Sequence, residues 1–235
     1  MSSQGRSTSD ADRRAGTALI VVLLGLSLLV TLTTGALLLA ASDMLTAARQ
    51  RDARITVSAA EAAIERAAGE IVDIPDWTLV LAGALTSSWV DGPAATPRID
   101  VNGQMLAPEG VANLATCGVA VACSAAESAV VTAERPWGPN NPRWRPFAYG
   151  AVDLATRGQA ATYVVVLVGD DPSENDGDPQ RDGVAPDNPG AGVVLLRAEA
   201  FGPSGSRRVV EAAVARETVA PGVALPRVLS WGQVR

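Results

Sequence analysis

The sequence predicts an α+β chain, with one long helix at the N-terminus and an antiparallel sheet at the C-terminus. Three observations carry this. From Thr17 to Ser42 there is no charged residue and no proline. Residues 43–73 hold no proline and a single glycine, Gly69, and are rich in Ala, Glu and Arg, which favour helix. Beyond residue 160 the pattern changes to β-branched runs and two-residue alternation, separated by Gly- and Pro-rich stretches.

The apolar run is long enough to cross a bilayer, which takes roughly 20 helical residues. It exceeds the ~7–15 residue core of a secretory signal. Ala-Ala-Ser at 40–42 still resembles a cleavage site, so a removable signal ending there stays open. Arg13 and Arg14 precede the run and favour a cytoplasmic N-terminus. Arg49, Arg51 and Arg54 follow it and oppose that orientation, with Asp43 and Asp52 among them.

After the run, Val57, Ala60, Ile64, Ala68 and Ile71 recur at helical spacing and form one apolar stripe. Arg51, Glu65, Arg66 and Glu70 lie off it, while Arg54 and Glu61 flank it. Pro75 ends the pattern, because the residue before a proline avoids helical geometry. Two arrangements satisfy this periodicity: one helix from Thr17 to about Asp73, or a membrane helix followed by a separate amphipathic one.

Composition argues against several functions. The 19 basic residues, all arginine, face 25 acidic ones, giving −6, which does not suit a nucleic-acid surface. Histidine is absent, which removes the usual general base and the commonest metal ligand. Two cysteines cannot form a four-cysteine zinc site, and no nucleotide loop or nucleophile elbow is present. No catalytic residue is expected.

Residues 75–160 read as irregular, with short apolar runs at 79–85 and 129–133. "RPWGPNNPRWRPF" at 135–147 cannot be regular helix; it reads as a loop pinned by its aromatics, or as a platform for a partner. "TYVVVLVG" at 162–169 reads as a buried strand. "VVLLRAEAFG" at 193–202 ends in alternation, with Leu196, Ala198 and Ala200 on one face and Arg197 and Glu199 on the other. "GPSG" at 202–205 is a turn, and residues 207–219 read as its return strand, although their alanines would also tolerate a helix. Residues 228–235 add an edge strand on which Trp231 is expected to pack.

Cys117 and Cys123 are expected to form a small-loop disulfide if this part of the chain lies outside the cytoplasm. The acidic loop at 169–192 offers Asp170, Asp171, Glu174, Asp176, Asp178, Asp182 and Asp187. Oxygen-rich loops with turn glycines suit calcium. The EF-hand register fails, because Pro189 falls where the bidentate Glu is needed and the register on Gly177 begins at Pro172. The choice is between a solvated acidic loop and a non-EF calcium site, which the first six acids would form.

The stretch "RRAGTALIVVLLGLSLLV" and the element "VSAAEAAIERA" at 57–67 resemble type IV minor pilins and type II secretion pseudopilins of the PilX-like kind. The resemblance covers about residues 13–70. It implies a leader at 1–16, a transmembrane helix half at 17–42, an amphipathic helix half at 43–74 and an extracytoplasmic β-rich domain at 75–235 packed on that helix. Gly16 would be the last leader residue, cut by a prepilin peptidase, and Thr17 the mature N-terminus, open to N-methylation. Val21 stands where major pilins carry a glutamate, which implies an initiating or tip subunit rather than a self-polymerising one. The implied partners are other minor pilins, the major pilin, the peptidase and the inner-membrane assembly platform. The implied location is the inner membrane, single-pass, with the C-terminal domain outside the cytoplasm, and the pilus once assembled. The rival is a single-span protein with an extracytoplasmic binding domain. A secreted enzyme cleaved after Ser42 is a weaker third.

Overall fold

The computed structural model describes residues 7–152, 161–184 and 186–234, with side chains from residue 17 onward. The expected leader therefore lies partly outside the described residues. The chain divides into two compact units, residues 1–50 and 51–235.

Helix α1 runs from Ser7 to Ile71, with no break at Gly16–Thr17 or at the expected membrane boundary. The helix thus starts earlier than Thr17 and stops two residues short of Asp73. In the first unit its leucines and valines, from Leu19 to Leu39, are exposed. Thr17–Ile71 is long and apolar enough, by length and composition, to cross a membrane. Ser27, Thr31, Thr33 and Thr34 return their hydroxyl protons to carbonyls one turn back, so they leave no polar group unpaired along this stretch.

The second unit is built on a five-stranded antiparallel meander: β3 (Arg145–Val152), β4 (Thr162–Asp170), β5 (Val193–Phe201), β6 (Arg207–Ala220) and β7 (Val223–Val234), in that spatial order. A two-stranded ribbon, β1 (Arg98–Ile99) and β2 (Met105–Leu106), forms a separate sheet whose Leu106 packs on the α3 side of the larger one. Three short helices complete the unit: α2 (Thr78–Leu81), α3 (Pro108–Cys117) and α4 (Ala125–Glu134).

One sheet face meets the last turns of α1. Ala59, Ala60, Ala63, Ile64, Ala67, Ala68 and Ile71 pack with Val164, Val166, Val168, Leu196, Ala198, Ala200, Val210, Ala212 and Val214. The expected stripe is confirmed except at Val57, which is half-buried, and it is broadened by the alanines at 59, 63 and 67. The end of α1 is held by side chains. Trp77 Nε1 donates to Ile71 O at 2.8 Å, and the Arg216 guanidinium stacks 4.7 Å from the Trp77 ring while donating to the carbonyls of Ile74 and Pro75. The bond to Ile71 satisfies a carbonyl that the helix C-terminus leaves open, and Arg216 holds the chain just beyond it. Glu70 receives Ser87 Oγ, Ser88 N and Ser88 Oγ, tying α1 to the chain that enters the sheet. Burial alone would raise its pKa, but these bonds and Arg66 together hold it below the usual range.

The opposite face packs against α3. Val111 and Ala112 meet Trp144, Tyr149, Tyr163, Val165 and Leu167. Strand β4 is therefore buried on both sides along its whole length. That explains its unbroken valine run, since a doubly covered strand has no face to make polar.

Three expectations need correction. Residues 75–152 are not irregular: they hold α2, β1, β2, α3, α4 and β3, while the rest of that expectation, 153–160, lies outside the described residues. The Pro-rich stretch at 135–147 is a loop only as far as residue 144, and β3 starts at Arg145. The last strand begins at Val223, not 228, and Trp231 remains 41% exposed on a strand whose side chains are nearly all open to solvent.

Candidate functional site

Strand β4 ends on Asp170, whose partner across the sheet is Val194 on β5. The acidic loop bridges these two strands. Asp170 is only 2% exposed, and its Oδ1 is buried without a hydrogen-bond partner. Burial, then the charges of Glu174, Asp182 and Asp176, push its pKa up to about 9.

Glu174 is the hub of the loop and is 3% exposed. Its carboxylate accepts Gly183 N at 2.9 Å and Asn188 Nδ2 at 2.8 Å, while its carbonyl accepts Asn140 Nδ2. Asn188 Oδ1 in turn accepts Asn175 N at 3.2 Å. The loop closes tightly: a Cβ on Gly183 would lie 1.8 Å from Asn188 Nδ2, and one on Gly190 would lie 2.6 Å from Glu174 Cγ. Glycine is required at both places. Asp182 Oδ1 accepts Gly192 N at 2.7 Å, and its pKa is raised, first by burial.

Asp171, Asp176 and Asp178 behave differently. Each caps its own turn, accepting the backbone N–H two residues on, from Ser173, Asp178 and Gln180 respectively. The six candidate calcium ligands thus divide into three that point inward and three that hold local turns. Among the described residues no three acidic, histidine or cysteine side chains converge closely enough to hold one ion.

Cys117 and Cys123 form a disulfide with Cα atoms 6.1 Å apart. It joins the end of α3 to the segment before α4. Gly118, at φ 78°, takes the left-handed turn that ends α3. In the stretch at 135–147, Trp144 and Phe147 are buried and pin the chain, while Trp137 is 50% exposed.

Sequence reasoning missed a second charged cluster, on the α3 side of the sheet. Glu199 is fully buried. Its Oε1 accepts Arg197 Nε at 2.9 Å, and its Oε2 accepts Arg207 Nη2 at 2.5 Å and Nε at 3.2 Å. Arg197 also reaches Glu211 Oε1 at 2.5 Å. The alternation of β5 put Arg197 and Glu199 on one face, but alternation says nothing about what covers that face. The register Glu199↔Val209 and Phe201↔Arg207 brings the ion pair together.

No family model, curated protein or solved structure matches the chain.

Proposed function

We propose that the chain is a minor pilin or pseudopilin that acts at the start or tip of a type IV pilus or type II secretion pseudopilus. The observation that supports this best is α1. One unbroken helix joins a charge-free apolar half to a half packed on an antiparallel sheet. A plain anchor has no need for that continuity, whereas a helix-packed filament subunit does.

On this reading Arg13 and Arg14 keep the N-terminus in the cytoplasm, and prepilin peptidase cuts between Gly16 and Thr17. The freed helix then packs against those of neighbouring minor and major pilins on the assembly platform, and the sheet unit lies outside the cytoplasm, where its disulfide is stable. Val21 explains the restricted role. A carboxylate in lipid needs a partner, and this subunit brings none at that position.

The test is the mature N-terminus, read by mass spectrometry of membrane-extracted protein with and without the host's prepilin peptidase. The expected result is peptidase-dependent processing to Thr17. An N-terminus at Met1 or Ser2 in both strains would favour the single-span anchor. A start near Asp43 would make the apolar run an export signal.

A further inference from the structure

Glu199 and its arginines border two cavities that share Arg207. One, of about 580 Å³, is lined by Arg197, Arg207, Arg208, Val209, Gln233 and Val234. The other, of about 300 Å³, has apolar walls that include Met105, Leu106, Val111, Leu114 and Phe201. Binding pockets are of this size, mostly apolar with a few fixed polar groups.

The buried carboxylate orients the donors. Arg207 uses Nε and Nη2 on Glu199, which leaves Nη1. Arg197 uses Nε on Glu199 and Nη1 on Glu211, which leaves Nη2. Arg208 uses only Nη1, on the Arg207 carbonyl. Two of the guanidinium planes are fixed further by aromatic rings, Arg197 over Trp144 at 5.9 Å and Arg207 over Phe201 at 5.8 Å. In the arginine cluster, three arginines against Glu199 and Glu211 leave one net positive charge, on a chain that carries −6 overall; Asp100, in the wall of the second cavity, is turned to the backbone N–H groups of Asn102 and Gln104. One surplus charge suits a single carboxylate better than a phosphate dianion. Guanidinium groups with donors to spare are matched to carboxylate oxygens.

The neighbouring strand points to a polypeptide. Gln233 and Val234 belong to β7, the last strand of the sheet, whose outer edge pairs with nothing among the described residues. An extended segment can add to such an edge through its main chain.

We propose that this cleft binds an extended acidic segment of a partner protein, one carboxylate on Arg197, Arg207 and Arg208 and an adjacent aliphatic side chain in the pocket of Leu106, Val111, Leu114 and Phe201. No premise about filament assembly enters this, so it stands or falls apart from the proposed function.

The test uses the full chain in neutral-detergent micelles, with ¹⁵N-labelled arginine. The probes are the peptide Ac-Leu-Glu-Val-Leu-NH₂, its Gln counterpart and inorganic phosphate. The Glu peptide is expected to move the Nε–Hε signals of Arg197 and Arg207. The Gln peptide should bind about tenfold more weakly, for want of the charge-assisted pair. Arg208→Ala and Leu114→Ser, both at exposed positions outside the ion-pair network, should each weaken the Glu peptide by roughly three- to tenfold while leaving the rest of the spectrum in place. The proposal is overturned if no probe moves these signals, if the Gln peptide binds equally well, if phosphate binds more tightly than the Glu peptide, or if both variants bind like the parent.

Discussion

The two faces of the central sheet solve burial in opposite ways. Toward α1 the sheet shows apolar side chains, Phe147, Val164, Val166, Leu196, Ala198, Val210 and Ala212 among them, and the helix meets them with alanines and isoleucines. Toward α3 the same strands bury tyrosines, Trp144 and a glutamate held by two arginines. The first face has no titratable side chain in its core cluster. The second is held by directed bonds and borders cavities of about 580 and 300 Å³, whereas the first has a smaller one of about 200 Å³ at its margin, beside Ala63, Trp89 and Val152. The difference shows which side of a two-sided sheet is free to recognise something. A face sealed by its own helix is committed, while one that keeps charges in place beneath an incomplete cover is not.

Four measurements would break or sharpen this contrast. The largest effect is expected from Glu199→Ala, which leaves Arg197 nearly buried and deprived of its main partner. It should cost about 3–5 kcal/mol in urea unfolding of the detergent-solubilised chain, followed by tryptophan fluorescence. A loss under 1 kcal/mol would mean that the ion pair is solvated and the two faces do not differ in kind. Ile64→Ala, on the sealed face, should cost roughly 2–5 kcal/mol with no change in the dependence on pH.

The third measurement concerns Asp170. Its pKa is raised in the folded chain, from 3.8 to about 9, so the fold holds more protons than the unfolded chain between those values. The stabilising contribution is complete below about pH 4 and is lost as pH rises through 9. Asp170→Asn should therefore flatten the fall in Tm between about pH 4 and 9. Added calcium distinguishes the two readings of the loop. If the ion binds Asp170, the parent gains Tm at pH 8 and the variant does not. If the loop is closed by Glu174 alone, neither responds. The smallest effect belongs to Trp231→Ala. At 41% exposure on an uncovered strand it should shift stability by about 0.5 kcal/mol or less, which thermal unfolding by circular dichroism would check.

How much of this could be read from the sequence depended on how local each cause was. Strands β4, β5 and β6 were legible because β-branched runs and alternation are written in consecutive residues. Strand β3 was hidden behind Pro146 and the proline-rich stretch before it, and it enters the sheet through a register shift between Pro146 and Ala148. Helix α4 carries a readable signal at its start. Ser124 and Glu127 stand three apart and form a capping box, the serine hydroxyl accepting Glu127 N while the glutamate accepts Ser124 N. The acidic loop was legible as a cluster, but which carboxylates turn inward depended on Gly183, Gly190 and Asn188 closing on Glu174, and no spacing rule encodes that. The Glu199 cluster was the least legible. Its members come from two strands, and its burial depends on α3, which the sequence reading left unassigned.

The alanines along the inner stripe of α1 have a consequence for how this protein tolerates change. Side chains of one carbon let the helix axis lie close to the sheet, and they set a ceiling on size rather than a demand for greasiness. Ala60 and Ala67 are fully enclosed, so a leucine at either place, though more hydrophobic, has nowhere to go without lifting the helix off the strands. Glycine or serine at those positions would be the milder errors. Drift at this seam should therefore be limited by bulk, and variants that survive there should be small before they are apolar.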